Sequence, residues 1–343
     1  MGDAPSLLPA GLEDQLPPWA EAEAEALSLI LGTARSFGYD RVKPPLLEYE
    51  DTLTAFAPDA LRKGFKLADP QAEGLLILRS DKTGQVVRIA QTRLKDEPRP
   101  LRLSYGGQVL RAKGSQLRPE RQFTQAGVEL IGVPEGAETR ALVEIADLCL
   151  TALGTIGVED ITLDLTLPHL AREAAGGDSA LIRALSERNA ALAGDAGAAG
   201  EQVAALIGAF GSWDTAIEAL AAAGPSPQMA AAAAGVRAVA EAMQDRHPKA
   251  EILLDPAELR GFDYHSGLSF VLYAKGIRGE LGRGGLYPAG AEHAAGFTLY
   301  MDTILRALPA PVRPEKIRVA ADADADEVAR RRAAGEVIVA DLD

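Results

Sequence analysis

Gln122-Phe123-Thr124-Gln125-Ala126-Gly127-Val128-Glu129-Leu130-Ile131 is the stretch on which the fold turns. Its period of two reads as a β-strand with Gln125, Gly127 and Glu129 on one face and Ala126, Val128 and Leu130 on the other. An amide and a carboxylate thus flank a position without a side chain, about 13 Å apart along the strand. Two such groups suit the two ends of a small polar molecule lying over the glycine, although a solvent-facing strand face carries the same pattern.

Three more runs read as strands before it: Leu75 to Arg79, Gln85 to Thr92 and Leu101 to Arg111. Asp81-Lys82-Thr83-Gly84, Asp96-Glu97-Pro98 and Gly114 to Pro119 supply turns between them, so an antiparallel sheet is the economical arrangement. Upstream, Leu27, Ile30, Leu31, Ala34 and Phe37 share one face of an amphipathic helix over 19–37, closed by Gly38. Residues 39–48 follow as a short extended segment containing Pro44-Pro45, which suits a sheet edge or an interface. Downstream, 138–154 is helical, Asp160 to Leu167 is a strand, and an Ala-rich stretch over about 170–248 implies an insertion of several short helices. Strands resume at Glu251 to Asp255 and Ser266 to Ala274, Gly282-Arg283-Gly284-Gly285 reads as a flexible turn, and Ala294 to Leu308 as a helix. The pattern predicts an α+β core over 1–308, an antiparallel sheet flanked by helices, followed by a strand-helix-strand tail over 309–343.

Composition narrows the function. At about 150 residues per domain, 343 residues allow two domains or one large domain with an appendage. A chain 47% hydrophobic and 24% charged is neither disordered nor fibrous. Lys and Arg total 35 against 49 Asp and Glu, a net charge of −14 that repels a nucleic-acid backbone, so no nucleic-acid partner is predicted. The single cysteine, Cys149, lies in a helical pattern with Leu142, Ile145, Ala146 and Leu153 and reads as a buried structural thiol. His169, His247, His265 and His293 lack metal-ligand spacing, and no metal or other cofactor is predicted. The first residues have no basic-then-apolar leader and no run of 18 apolar residues occurs, so no membrane partner and a cytoplasmic location are expected.

Two further segments carry polar chemistry. Arg260-Gly261-Phe262-Asp263-Tyr264-His265 sets a cation, a carboxylate and an aromatic hydroxyl between glycines; Arg260 suits a carboxylate or phosphate, while a glycine-bounded turn is the bland alternative. Asp81 suits an ammonium group, and Asp before Lys-Thr-Gly is also ordinary turn chemistry. No nucleophile with an adjacent base can be assembled, and His265 reads as a structural or ligand-contacting residue.

Taken in order, Gly38-Tyr39 to Pro44-Pro45-Leu46-Leu47-Glu48, Leu78 to Thr83, Arg111 with Arg121 to Glu129, and Arg260 to Tyr264 resemble the catalytic core of class II histidyl-tRNA synthetases over about residues 8–308. The resemblance implies a six-stranded antiparallel sheet flanked by helices, and a dimer built on the first segment. It also implies an amino-acid pocket of Asp81, Thr83, Arg111, Gln125, Glu129, Arg260, Tyr264, His265 and Tyr287. In it Asp81 would hold the ammonium of histidine, Gln125 and Arg260 its carboxylate or backbone polar atoms, and Glu129 with Tyr264 its imidazole.

The departures from that family direct the reading. Phe-Arg-x-Glu becomes Leu110-Arg111-Ala112-Lys113, the ATP-clamping arginine after Gly296-Phe297 becomes Thr303, and Gly-Gly-Arg-Tyr-Asp becomes Gly284-Gly285-Leu286-Tyr287-Pro288. An anticodon-binding domain needs about a hundred residues after the core, and only Pro309 to Asp343 follow. With the ATP and tRNA parts lost and the amino-acid side kept, the chain resembles the synthetase-like regulatory subunits of ATP phosphoribosyltransferase. Leu8-Pro9-Ala10-Gly11-Leu12-Glu13-Asp14 matches their opening. This implies a non-catalytic chain of histidine biosynthesis that dimerises with itself, joins a short-form catalytic subunit in a hetero-octamer, and relays inhibition by histidine. A divergent ATP-dependent aminoacyl ligase is the alternative, and an orphan dimeric binding module a third.

Overall fold

The computed structural model describes residues 8–56, 63–114, 118–194, 196–222, 227–259 and 265–342. Its strands are β1 (Asp40–Arg41), β2 (Leu47–Tyr49), β3 (Phe65–Ala68), β4 (Leu75–Leu78), β5 (Leu101–Leu110), β6 (Gln122–Ile131), β7 (Ile161–Thr166), β8 (Gly211–Ser212), β9 (Glu251–Asp255), β10 (Ser269–Ala274), β11 (Gly282–Ala289), β12 (Glu292–Tyr300), β13 (Lys316–Val319) and β14 (Val337–Ala340). The helices are α1 (Trp19–Ser36), α2 (Glu50–Phe56), α3 (Thr83–Thr92), α4 (Glu138–Thr155), α5 (Pro168–Ala175), α6 (Ser179–Glu187), α7 (Gly197–Gly208), α8 (Trp213–Ala222), α9 (Pro227–Arg246), α10 (Met301–Ala307) and α11 (Ala325–Ala333). No helix among the described residues is long and apolar enough to cross a membrane.

Nine strands form one sheet in the order β1-β5-β6-β12-β11-β10-β7-β9-β8. The run from β5 to β7 is antiparallel throughout, the arrangement the sequence pattern implies. β1 extends it in parallel at one edge, where the proline-bearing segment was expected, and β9 pairs in parallel with β7 at the other. A parallel neighbour needs a crossover, and helices α5 to α9 supply it between β7 and β9. Helices α1 and α4 pack on one face through Ile30, Ala34, Leu142, Ile145 and Cys149, meeting Ala126, Val128 and Leu130. Helix α3 packs on the opposite face, where Val86, Val87 and Ala90 meet Leu103, Tyr105 and Tyr287. β6 therefore has residues of both parities buried, and the face with Gln125, Gly127 and Glu129 looks towards α3, not solvent. A separate sheet, β2-β4-β3, precedes α3, and β13-α11-β14 makes a parallel βαβ unit at the end.

Three sequence readings are corrected. Gln85 to Thr92 belongs to helix α3: its apolar residues recur at i, i+1 and i+4, and the Asp81 carboxylate accepts the Thr83 N–H at 2.8 Å, starting the helix. β-branched Val86, Val87 and Ile89 mimic a strand, and the periodicity of Gln85 with Arg88 is the signal that opposes it. Ala294 to Leu308 is not one helix but β12 followed by α10; Gly296 occurs there because the Glu129 side chain of β6 lies over it. Gly282 to Gly285 starts central strand β11 instead of forming a turn, since a Cβ on Gly284 would approach Phe270 Cζ to 2.5 Å. The predicted turn at 114–119 lies partly, and Arg260 to Tyr264 wholly, outside the described residues.

Close packing over glycine makes a test of the central strands. A Cβ on Gly127 would meet the Phe297 carbonyl and lie 2.5 Å from the Tyr105 hydroxyl. Gly127→Ala should cost about 1–3 kcal/mol by overpacking. Gly154→Ala in α4, where nothing lies within 4 Å, should be neutral or gain about 0.5–1 kcal/mol. Urea unfolding of both variants reads the contrast.

Candidate amino-acid site

The joint between β4 and α3 positions the site. Arg79 holds it to its surroundings: Nε donates to the Gln108 carbonyl at 2.8 Å and Nη1 to the Pro44 and Pro45 carbonyls at 2.8 and 3.2 Å. Buried Glu48 is gripped by the same helix, accepting from Gln85 Nε2 at 2.7 Å and from Arg88 Nε and Nη2 at 2.8 and 2.6 Å. The Pro44 to Glu48 segment, β4 and α3 are thereby locked together, and Asp81 has little freedom to move.

Asp81 serves both purposes that its sequence allows. One carboxylate oxygen accepts the Thr83 N–H, and the other accepts Gln125 Nε2 at 3.0 Å. Gln125 is fully buried, and its Oε1 has no hydrogen-bond partner. A buried acceptor without a donor costs about 1–3 kcal/mol, which a donor on a ligand would relieve.

Two turns of the β-pleat along, Glu129 is 1% exposed and held between two tyrosines. Tyr287 donates to Oε2 at 2.6 Å and Tyr105 to Oε1 at 3.2 Å. The Tyr105 oxygen also lies 2.8 Å from Thr298 Oγ1 and 3.4 Å from Thr83 Oγ1; having given its proton to Glu129, it can accept from both hydroxyls. Gly296 leaves room for the Glu129 carboxylate, which a side chain there would displace. Burial pushes the Glu129 carboxyl up to about 8, against the pull of hydrogen bonds from Tyr287, Thr83 and Tyr105, and with a further push from Asp81.

The structure thus joins Asp81, Thr83, Gln125, Glu129 and Tyr287 in one network. His265 sits beside it: a Cβ on Gly285 would lie 2.8 Å from its Cδ2, and burial, with Arg283 and Arg172 nearby, pulls its imidazole down to about 3 and keeps it neutral. Arg111 stands apart at the end of β5, its guanidinium 4.8 Å from the Phe123 ring centre. Two clefts of about 760 and 660 Å³ open on the α1 and α4 side, lined by Arg102, Glu144 and Arg246 and by Leu27, Arg35 and Asp40 respectively. Neither contains a residue of the network.

The family described as Histidyl-tRNA synthetase matches residues 11–304. The ATP phosphoribosyltransferase regulatory subunit of Rhodospirillum centenum is 43% identical over 98% of this chain and 90% of the relative. The chain belongs to the family of ATP phosphoribosyltransferase regulatory subunits. Members of that family carry the name of regulatory, not catalytic, subunits. A protein from Bacillus halodurans described as an ATP phosphoribosyltransferase regulatory subunit/histidyl-tRNA synthetase superposes with a TM-score of 0.82, at 25% identity and covering 98% and 93% of the two chains. A chain of the ATP phosphoribosyl transferase complex from Thermotoga maritima shares the fold with a TM-score of 0.64, at 15% identity and covering 81% and 97%.

The resemblance sets Thr303 where a synthetase keeps its ATP-clamping arginine. Thr303 is fully buried, and Arg118 lies over it, 3.4 Å from its Oγ1. The Arg118 guanidinium also stacks 3.8 Å from the Tyr300 ring centre and pairs with Asp302 at 3.1 Å.

Tyr105, Thr298 and Lys82 escaped the sequence reading. The parity of β5 puts Tyr105 on the face of Gly107, but its place opposite Gly127 depends on a register that only pairing defines. Glu129 supplies a test with a definite sign. The native carboxyl keeps its proton up to about pH 8, whereas the unfolded chain loses it near 4.5. Its contribution to stability is full below pH 4.5 and is lost as pH rises through about 8, at up to about 1.4 kcal/mol per pH unit. Glu129→Gln does not titrate, so the variant should gain on wild type between about pH 5 and 8.5. A pH-independent difference in urea midpoints would show that Glu129 is already ionised in the native protein.

Proposed function

We propose that the chain is the histidine sensor of an ATP phosphoribosyltransferase, the first enzyme of histidine biosynthesis, acting in the cytoplasm. The observation that carries this reading is the network itself: an acidic and amide end at Asp81 and Gln125, and a buried carboxylate at Glu129, on one strand face. Histidine has a matching donor at each end. Its ammonium would meet Asp81 and the orphaned Gln125 Oε1, and its imidazole N–H would meet Glu129 between Tyr105 and Tyr287. Arg260 and Tyr264, beyond the described residues, would complete the carboxylate and imidazole contacts, with His265 alongside.

In this reading a short-form catalytic subunit needs the chain for full activity, and both assemble with equal numbers of each in a hetero-octamer. The regulatory chain forms a dimer through the Tyr39 to Glu48 segment. Exposed Leu46, Leu47, Tyr49, Leu67 and Leu75, on and beside the sheet β2-β4-β3, give that segment an apolar surface to bury. Arg118 over Thr303 argues against an ATP-dependent ligase, because the triphosphate clamp has become a hydroxyl under an occupied guanidinium.

Calorimetry tests the pocket. Histidine should bind the isolated chain, and Glu129→Ala should weaken it by at least about tenfold. The affinity should peak between the ordinary imidazole value near 6.5 and the Glu129 value near 8. There neutral histidine meets protonated Glu129 and one proton moves between them without exchange with solvent. More acid requires a proton to leave, and more alkaline requires one to be taken up. Unchanged binding in Glu129→Ala removes it from the pocket. Mixing the chain with a short-form catalytic subunit, with and without histidine, should show stimulation and then inhibition. Histidine-dependent pyrophosphate exchange would point instead to a ligase.

A further inference from the structure

Lys82 lies in the joint between β4 and α3, and neither the fold nor the proposed histidine contacts use it. Its side chain is among the largest fully buried ones in the protein, with the residue 1% exposed, yet its ammonium has no hydrogen bond and no ion pair among the described residues. Burial and the neighbouring Arg79, with a smaller effect from Arg41, pull its pKa down to about 7, and Asp81 only partly opposes them. An uncompensated buried cation is costly, and ordinary packing would select an apolar residue there.

The surroundings of Lys82 suit an anion. A Cβ on Gly107 would lie 3.3 Å from Lys82 Nζ and 3.5 Å from Arg79 Nη2, so both cationic heads converge on the bare face of this glycine. Arg79 donates its hydrogen bonds to backbone carbonyls, which carry no charge to neutralise it, and no carboxylate pairs with it among the described residues. Lys82 is also the N-cap residue of α3, whose first turn adds positive potential from its backbone N–H groups. The nearby carboxylates are committed: Asp81 to Thr83 and Gln125, and Glu48 to Gln85 and Arg88. Gly107 pairs in register with Gln125, so this cationic spot adjoins the amide end of the amino-acid network.

We propose that Lys82 and Arg79 form an oxyanion site over Gly107, which takes a carboxylate or phosphate group at the edge of the amino-acid pocket. The oxyanion can be the carboxylate of an amino acid lying in the pocket or a free phosphate. The phosphate arm stands independently of the histidine reading, so the two can fail separately.

The full chain, titrated at constant ionic strength, provides the test. Inorganic phosphate, L-histidine and histamine, which lacks the carboxylate, are compared on wild type, Lys82→Met and Lys82→Arg. A free-phosphate site predicts that phosphate binding falls at least about tenfold in Lys82→Met and is kept in Lys82→Arg. A carboxylate site predicts that histidine loses the same factor while histamine is unaffected. Lys82→Met should also melt higher than wild type without ligand, which shows that the variant folds and that a buried charge has been removed. Phosphate and histidine binding both unchanged in Lys82→Met, or no binding of either by wild type, would overturn the proposal, whatever Glu129→Ala does.

Discussion

A carboxylate in the middle of a sheet is the constraint on which the rest depends. Glu129 is buried where an unpaired negative charge would be severely penalised; burial raises its pKa, and the hydroxyl donors around it partly offset that rise. Each of those donors constrains another part of the chain. Tyr287 fixes β11 against β6, Tyr105 fixes β5, and Thr298 behind Tyr105 fixes β12. The glycines at 127 and 296 are then required, because the tyrosine and the carboxylate occupy the space their side chains would fill. Four neighbouring strands thus share one polar network in a sheet that is otherwise packed with apolar residues.

A second network anchors the other end. Arg79, Gln85, Arg88 and Glu48 connect the Pro44 to Glu48 segment, β4 and α3 through charge-assisted hydrogen bonds. Asp81 sits at its hinge, committed to the helix start and to Gln125. Preorganisation of this kind lowers the entropic cost of holding a small ligand, since few side chains remain to be ordered on binding. The same rigidity explains how a buried lysine persists beside Arg79: its neighbours cannot collapse to expel it.

Much of this was legible in the sequence, and what was not has a physical reason. β6 could be read because both of its faces keep strict alternation, and Gln125, Gly127 and Glu129 do share a face. Helices α1 and α4 could be read because each has one apolar stripe. Helix α3 reads as a strand because Val86, Val87 and Ile89 are β-branched, although Asp81 carries turn chemistry and starts the helix. Strand β12 reads as helix because Ala294 and Ala295 favour helices, whereas pairing with β6 and β11 holds the segment extended. Tyr105 stayed hidden because partnership across strands is a matter of register, and one sequence carries no signal for that.

For a pocket that binds histidine as proposed, the two networks offer a route from the site to the protein surface. Asp81 touches β6 through Gln125, and its own joint is tied by Arg79 and Glu48 to the segment that bears exposed Leu46 and Leu47. A regulatory effect requires a ligand to bind two arrangements of the protein with different affinity, and about 1–3 kcal/mol of difference suffices. Glu129 is poorly suited to supply it, because four strands hold it in place. The joint is better suited, because one of its members, Lys82, has no counter-ion among the described residues and its charge can be answered by a ligand. Neutralising Lys82 would change the balance of forces at that joint, which Arg79 and Glu48 tie to the segment carrying exposed Leu46 and Leu47.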